Sequence, residues 1–82
     1  MKVLLKGHES KERVELLLSL TRIDSEPQIK AINLHLVNGA EDTLAATTYG
    51  VSKSNLSRAL KTLNETAKIV ERIKEIDLIV VT

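Results

Sequence analysis

The stretch Gly50-Val51-Ser52-Lys53-Ser54-Asn55-Leu56-Ser57-Arg58-Ala59-Leu60 sets a turn, a helix cap and the start of an amphipathic helix side by side. Gly50 has no Cβ and takes up the positive φ that so tight a turn demands. Ser52 offers a side-chain oxygen to the otherwise unpaired N–H groups of the helix that follows. From there Leu56, Leu60, Leu63, Ala67 and Val70 recur at alternating four- and three-residue steps, an apolar stripe of coiled-coil spacing. One helix from Lys53 to Glu75 fits this pattern, and so does a helix interrupted near Asn64-Glu65, where Asn64 can cap a fresh start. Ahead of the turn, Glu41 to Tyr49 reads as a short helix, with Glu41 and Asp42 at its positive end and Ala45, Ala46 and Tyr49 facing inward. Small Ala46 sits where the two helices cross, Val51 plugs the crease, and Leu56 and Ala59 face back to the first helix. Together these features spell a helix-turn-helix over about 42–63.

Two further helices precede it. Ser10 caps the first, with Glu12 in its positive first turn and Val14, Leu17 and Leu18 on one face, widened by Leu16 and Leu20 into a mostly buried helix. Ser25 starts the second, with Gln28 at capping-box spacing and Pro27 tolerated in the first turn. Its apolar positions are Ile29, Ile32, Leu36 and Val37, and Asn38-Gly39 ends it with a left-handed stop. The closing Leu78-Ile79-Val80-Val81 is rich in β-branched residues and can pair as a short strand with Val3-Leu4-Leu5. Alternatively, the surplus apolar surface of residues 65–82, which includes Ile69, Val70, Ile73 and Ile76, serves self-association into a dimer or larger oligomer. The expected fold is therefore mainly α, a small domain of four to five helices spanning residues 1–82, with short terminal β-strands as the open alternative.

Composition agrees with that architecture. At 82 residues the chain has room for one core, and Tyr49 is its single aromatic, so the core must be built from Leu, Ile, Val and Ala, which favours helices over a β-sandwich. Absence of cysteine removes disulfides, thiolate zinc sites and cysteine nucleophiles, and fits a reducing cytoplasm. No signal-peptide core and no membrane-length apolar run is found, so a cytoplasmic protein without a membrane partner is expected. Catalysis needs a nucleophile, a base and an orienting group that converge. His8 and His35 are the only imidazoles, and His35 between Leu34 and Leu36 reads as a boundary residue making one hydrogen bond; neither an enzyme, a metal site nor a cofactor is expected.

A net charge of +1 gives no global case for a polyanionic partner, so that case rests on where the cations sit. The outward positions of the helix after the turn are Lys53, Ser54, Asn55, Ser57, Arg58, Lys61 and Thr62, preceded by Ser52, with no carboxylate before Glu65. This is the composition of a face that reads duplex DNA. Arg58 can pair bidentately with guanine and Asn55 can address adenine; Lys53 and Ser54 lie beside them, while Ser52, Lys61 and Thr62 suit phosphates. A polar outer face is also what any soluble helix shows, and Glu41 and Asp42 would repel phosphate if they faced the duplex. They are read here as stabilising the helix dipole instead.

With these elements in order, the chain from about Lys11 to Val70 resembles the PapB-type regulators of fimbrial (adhesin) biosynthesis. The resemblance rests on Ile23-Asp24-Ser25 leading into the second helix, Leu36-Val37-Asn38-Gly39 ending it, Tyr49 before the turn, Leu56-Ser57 after it, then Leu60 and Leu63. Gly50-Val51-Ser52 is closer to the general repressor pattern, and the ending from Ile76 to Thr82 is a departure. The resemblance implies a bacterial regulator of an adhesin or plasmid operon that binds A/T-rich repeated sites near promoters, self-associates along DNA, and contacts the minor groove. The side-chain pattern instead predicts a helix in the major groove. A rival function on the same fold is a protein-interaction adaptor, sigma-region-like or an antagonist, which would bind duplex DNA poorly.

Overall fold

The computed structural model describes residues 4–81, and among these four helices follow one another: α1 (Lys11–Ser19), α2 (Glu26–Leu36), α3 (Asp42–Thr48) and α4 (Lys53–Val81). Ser10 caps α1 as its sequence position requires, its Oγ accepting the Arg13 N–H at 3.1 Å. Ser25 does not cap α2 through its side chain; its carbonyl accepts the first helical bond, from Ile29. Gln28 is turned away from Ser25 and donates across to the Asn55 carbonyl at 3.2 Å. The short helix α3 runs one residue inside each expected end.

Helices α2, α3 and α4 pack on one another, and α1 closes the bundle against α4 and α2. Val14, Leu17 and Leu18 of α1, Ala31, Ile32 and Leu36 of α2, Ala45 and Ala46 of α3, and Leu56, Ala59, Leu63 and Ala67 of α4 form one buried cluster with Leu4. Five of these thirteen residues are alanines, and at helix crossings a small residue lets the backbones approach closely, so the chain fills its core without aromatic side chains. The described core holds no charged or polar residue. Each fully buried Ile32, Leu56 or Leu63 contributes about 1.5–3 kcal/mol through apolar burial alone.

Helix α4 is continuous through Asn64-Glu65. The Asn64 side chain does not cap a new helix; its Oδ1 accepts the Leu4 N–H at 3.0 Å, which draws the amino-terminal segment onto the middle of α4. At roughly 1.5 Å per residue, 29 residues give a rod about 43 Å long, which sets the 47 Å long axis of the molecule. Among the described residues, Val70 is the last of this rod to pack against the core. Arg13 makes the last tie, with Nε to Glu9 at 3.1 Å and Nη2 to Glu71 at 2.9 Å. The Arg13 hydrogen bond holds the Glu71 carboxyl below its ordinary range, so this tie persists at neutral pH and loosens only as acidification reaches that lowered value.

Three expectations are corrected. Leu78 to Val81 continue α4 as helix, because the i→i−4 ladder has no break after Lys53, and the strand pairing is absent among the described residues; Val3 lies outside them. Leu16 and Leu20 do not widen the buried face of α1 but stand 65% and 64% exposed, since the bundle meets that helix only along Val14, Leu17 and Leu18. Tyr49 is on the exposed side, because it follows the last residue of α3 and no longer shares the inward face of Ala45 and Ala46.

The amino-terminal segment crosses the α2–α3 junction, with the Gly7 N–H on the His35 carbonyl and the Glu9 N–H on the Leu36 carbonyl, both at 3.1 Å. Gly7 has φ +72°, and a Cβ there would lie 3.0 Å from the Gly39 Cα. Gly50 has φ +67° with open space around it. Gly50→Ala should therefore cost only the left-handed strain, about 1–2 kcal/mol, and Gly7→Ala should cost more because backbone atoms must also separate. Chemical denaturation of the two variants checks this ordering; equal losses would contradict the close approach.

Candidate nucleic-acid interface

The turn between α3 and α4 is closed by backbone bonds from the Gly50 N–H to the Thr47 carbonyl at 3.3 Å and from the Val51 N–H to the Ala46 carbonyl at 2.9 Å. Val51 is half-buried against the core, and Leu56 and Ala59 are buried behind it. Ser52 then caps α4, its Oγ accepting the Asn55 N–H at 3.1 Å while its carbonyl accepts from Leu56 at 3.0 Å. These contacts fix the direction in which α4 leaves the turn, and thereby the direction of its outer face.

All eight sequence-predicted residues, Ser52, Lys53, Ser54, Asn55, Ser57, Arg58, Lys61 and Thr62, are exposed. Because side chains four apart stack along a helix, Lys53, Ser57 and Lys61 form one row and Ser54, Arg58 and Thr62 a second, with Asn55 beside the helix start. Leu56, Ala59 and Leu63 occupy the opposite, buried side. Among the ion pairs formed by the described residues, none involves Lys53, Arg58 or Lys61, whereas Lys68, Arg72 and Lys74 further along α4 each lie against a glutamate. Charge on the first turns of α4 is thus directed outward.

Three neighbours of this face stand where the sequence did not place them. Gln28, expected to close a capping box, instead ties the start of α2 to the Asn55 carbonyl and steadies the first turn of α4. Nothing in a linear pattern signals a contact across 27 residues. Glu41 and Asp42, read from the sequence only as stabilising the helix dipole, also line the same concavity as Ser57 and Lys61, together with Lys6, and so flank the outer face. Asp42 does stabilise the start of α3: its Oδ1 accepts the Thr43 N–H at 2.8 Å, and that bond, aided by the charge of Lys53, holds its carboxyl below its ordinary value despite some burial. Glu41 pairs with Lys6.

His35 also lines this concavity, with Nδ1 donating to the Ala40 carbonyl at 2.8 Å, a structural contact at the end of α2. The described residues bring no group of three His, Asp or Glu close enough to hold a metal ion, and no described helix is long and apolar enough to cross a membrane.

A helix-turn-helix with a polar, cationic second helix is the class of architecture these residues define. Residues 1–76 match the model of the PapB family, adhesin biosynthesis transcription regulatory proteins, and the chain belongs to that family. The protein is therefore a transcription regulator, which is not a class of enzyme. Among solved structures, the crystal structure of FocB from E. coli is similar, with a TM-score of 0.82 and 26% sequence identity over 89% of this chain and 83% of that one. No curated protein sequence matches significantly.

Proposed function

We propose that the chain is a sequence-specific DNA-binding regulator of an adhesin or fimbrial operon that presents the first three turns of α4 to the major groove. One observation carries this reading. Every polar residue from Ser52 to Thr62 is exposed on a helix fixed by the Gly50 turn, and no carboxylate lies on that stretch. Lys53, Ser54, Asn55 and Arg58 carry donors and acceptors on the first turns, suited to base edges, while Ser52 at the cap and Ser57, Lys61 and Thr62 along the helix suit phosphates. The favoured partner is duplex DNA with A/T-rich repeated promoter sites, as membership of the family suggests, and the cytoplasm is the compartment that this partner implies.

A second copy of the chain completes the reading. One short helix reads few base pairs, and two of them spaced by a helical turn multiply the discrimination. Beyond Val70, Ile73, Ile76 and Ile79 are 51%, 46% and 72% exposed and follow Ile69, itself 63% exposed, at helical steps along one side of α4. A stripe of this length on a projecting helix suits a matching stripe on another copy.

Two measurements test these readings. Arg58→Ala should lower affinity for the cognate site by roughly 1–3 kcal/mol and relax its specificity, whereas Lys61→Ala should weaken all duplexes alike and make the salt dependence shallower by about one. A chain without measurable duplex affinity would favour the adaptor function instead. In sedimentation at micromolar concentration the parent should be dimeric or larger, and Ile73→Glu should dissociate it with its helical circular dichroism retained. A monomeric parent that fills repeated sites without cooperativity contradicts the self-association.

A further inference from the structure

The acid-flanked side of the outer face raises a physical problem. Glu41 and Asp42 share a concavity with Ser57 and Lys61, so a phosphate backbone lying along the Lys53, Ser57 and Lys61 row approaches two carboxylates. Like charges at such range oppose association, and in an interface this acts on both affinity and choice of partner. Asp42 is answered within its own helix by the Thr43 N–H and hydroxyl that its Oδ1 accepts, and it lies in the field of Lys53, with which it forms no ion pair. Glu41 is 72% exposed and receives its cation from elsewhere, the amino-terminal segment.

That segment is held at three points on either side of the cation. Leu4 is buried and donates its N–H to Asn64, Gly7 donates to the His35 carbonyl, and Glu9 donates to the Leu36 carbonyl. Gly7 passes Gly39 so closely that a Cβ on Gly7 would lie 3.0 Å from the Gly39 Cα, which leaves the segment little room to move toward α2. Lys6, between the first two anchors, places Nζ on Glu41 Oε1.

We infer that the segment from Leu4 to Glu9 is a strap that belongs to the DNA-binding surface, because it holds Lys6 against Glu41 and so cancels the carboxylate that would repel the duplex beside Lys61. The inference rests on the DNA-reading role proposed for α4. Lys6 is a positioning residue here: it acts through Glu41 and need not touch the nucleic acid. Removal of Glu41 should then relieve the need for Lys6.

A double-mutant cycle on the full chain, with duplex carrying the cognate site at low salt, tests this. Lys6→Ala should weaken binding roughly threefold to tenfold, Glu41→Gln should leave it unchanged or tighten it, and Lys6→Ala in the Glu41→Gln background should cost less than about twofold. Lys6→Arg, which restores the ion pair, should restore affinity. Both side chains are exposed, so thermal unfolding of the variants should stay close to the parent. A strap that merely stabilises the fold predicts the same sign for Lys6→Ala and Glu41→Gln, and that result overturns the inference. Equal losses from Lys6→Ala in both backgrounds also overturn it, since Lys6 would then contact phosphate itself. If Lys6→Ala is silent while Lys61→Ala weakens binding, the inference fails and the reading of α4 stands; a parent that binds no duplex removes both.

Discussion

The tight junction between α3 and α4 is the constraint on which the rest of the molecule depends. Gly50 at positive φ, the Val51 N–H on the Ala46 carbonyl and the Ser52 cap leave α4 a single direction of departure. Leu56 and Ala59 are then committed to the core, and the residues between them to solvent. Because α2 and α1 also pack on α4, a change in its direction would be felt in every layer of the small core. The same geometry that closes the core therefore orients the outer face, so stability and the direction of that face are coupled through one turn.

Charge is managed locally in a chain that is nearly neutral overall. Glutamates at positions 65, 71 and 75 sit against lysine or arginine further along α4, while the cations on its first turns face outward. The acids at the start of α3 serve its dipole and are compensated by cations from two directions. A basic patch is thus obtained by placement, with a net charge of +1, and sequence-wide charge is a poor guide to it.

Much of this was legible in the sequence because it depends on short-range spacing. The Ser10 cap, the Gly39 and Gly50 stops, the leucine stripe from Leu56 to Leu63 and the exposure of Lys53, Arg58 and Lys61 all follow from residues within a few positions of one another. What failed depended on partners distant along the chain. Gln28 satisfies a capping pattern locally but finds a better acceptor in Asn55, and Asn64 resembles a helix start until Leu4 occupies its oxygen. Leu16 and Leu20 look like core because their spacing is helical, yet α1 is too short and too peripheral to bury more than one face. Leu78 to Val81 have β-propensity that the continuing helix overrides. The acids at positions 41 and 42 were visible, but their position beside Ser57 and Lys61 requires the crossing of α3 and α4 to be known.

The central claim is that α4 enters the major groove, which the family resemblance does not anticipate. Footprint competition on one cognate duplex decides it, by comparing methylation of guanine N7 in the major groove with a small ligand that occupies the minor groove. Major-groove insertion of α4 predicts that N7 methylation blocks binding and that the minor-groove ligand leaves the protein in place. Displacement by the minor-groove ligand, with methylated duplex bound as well as unmodified, would contradict it.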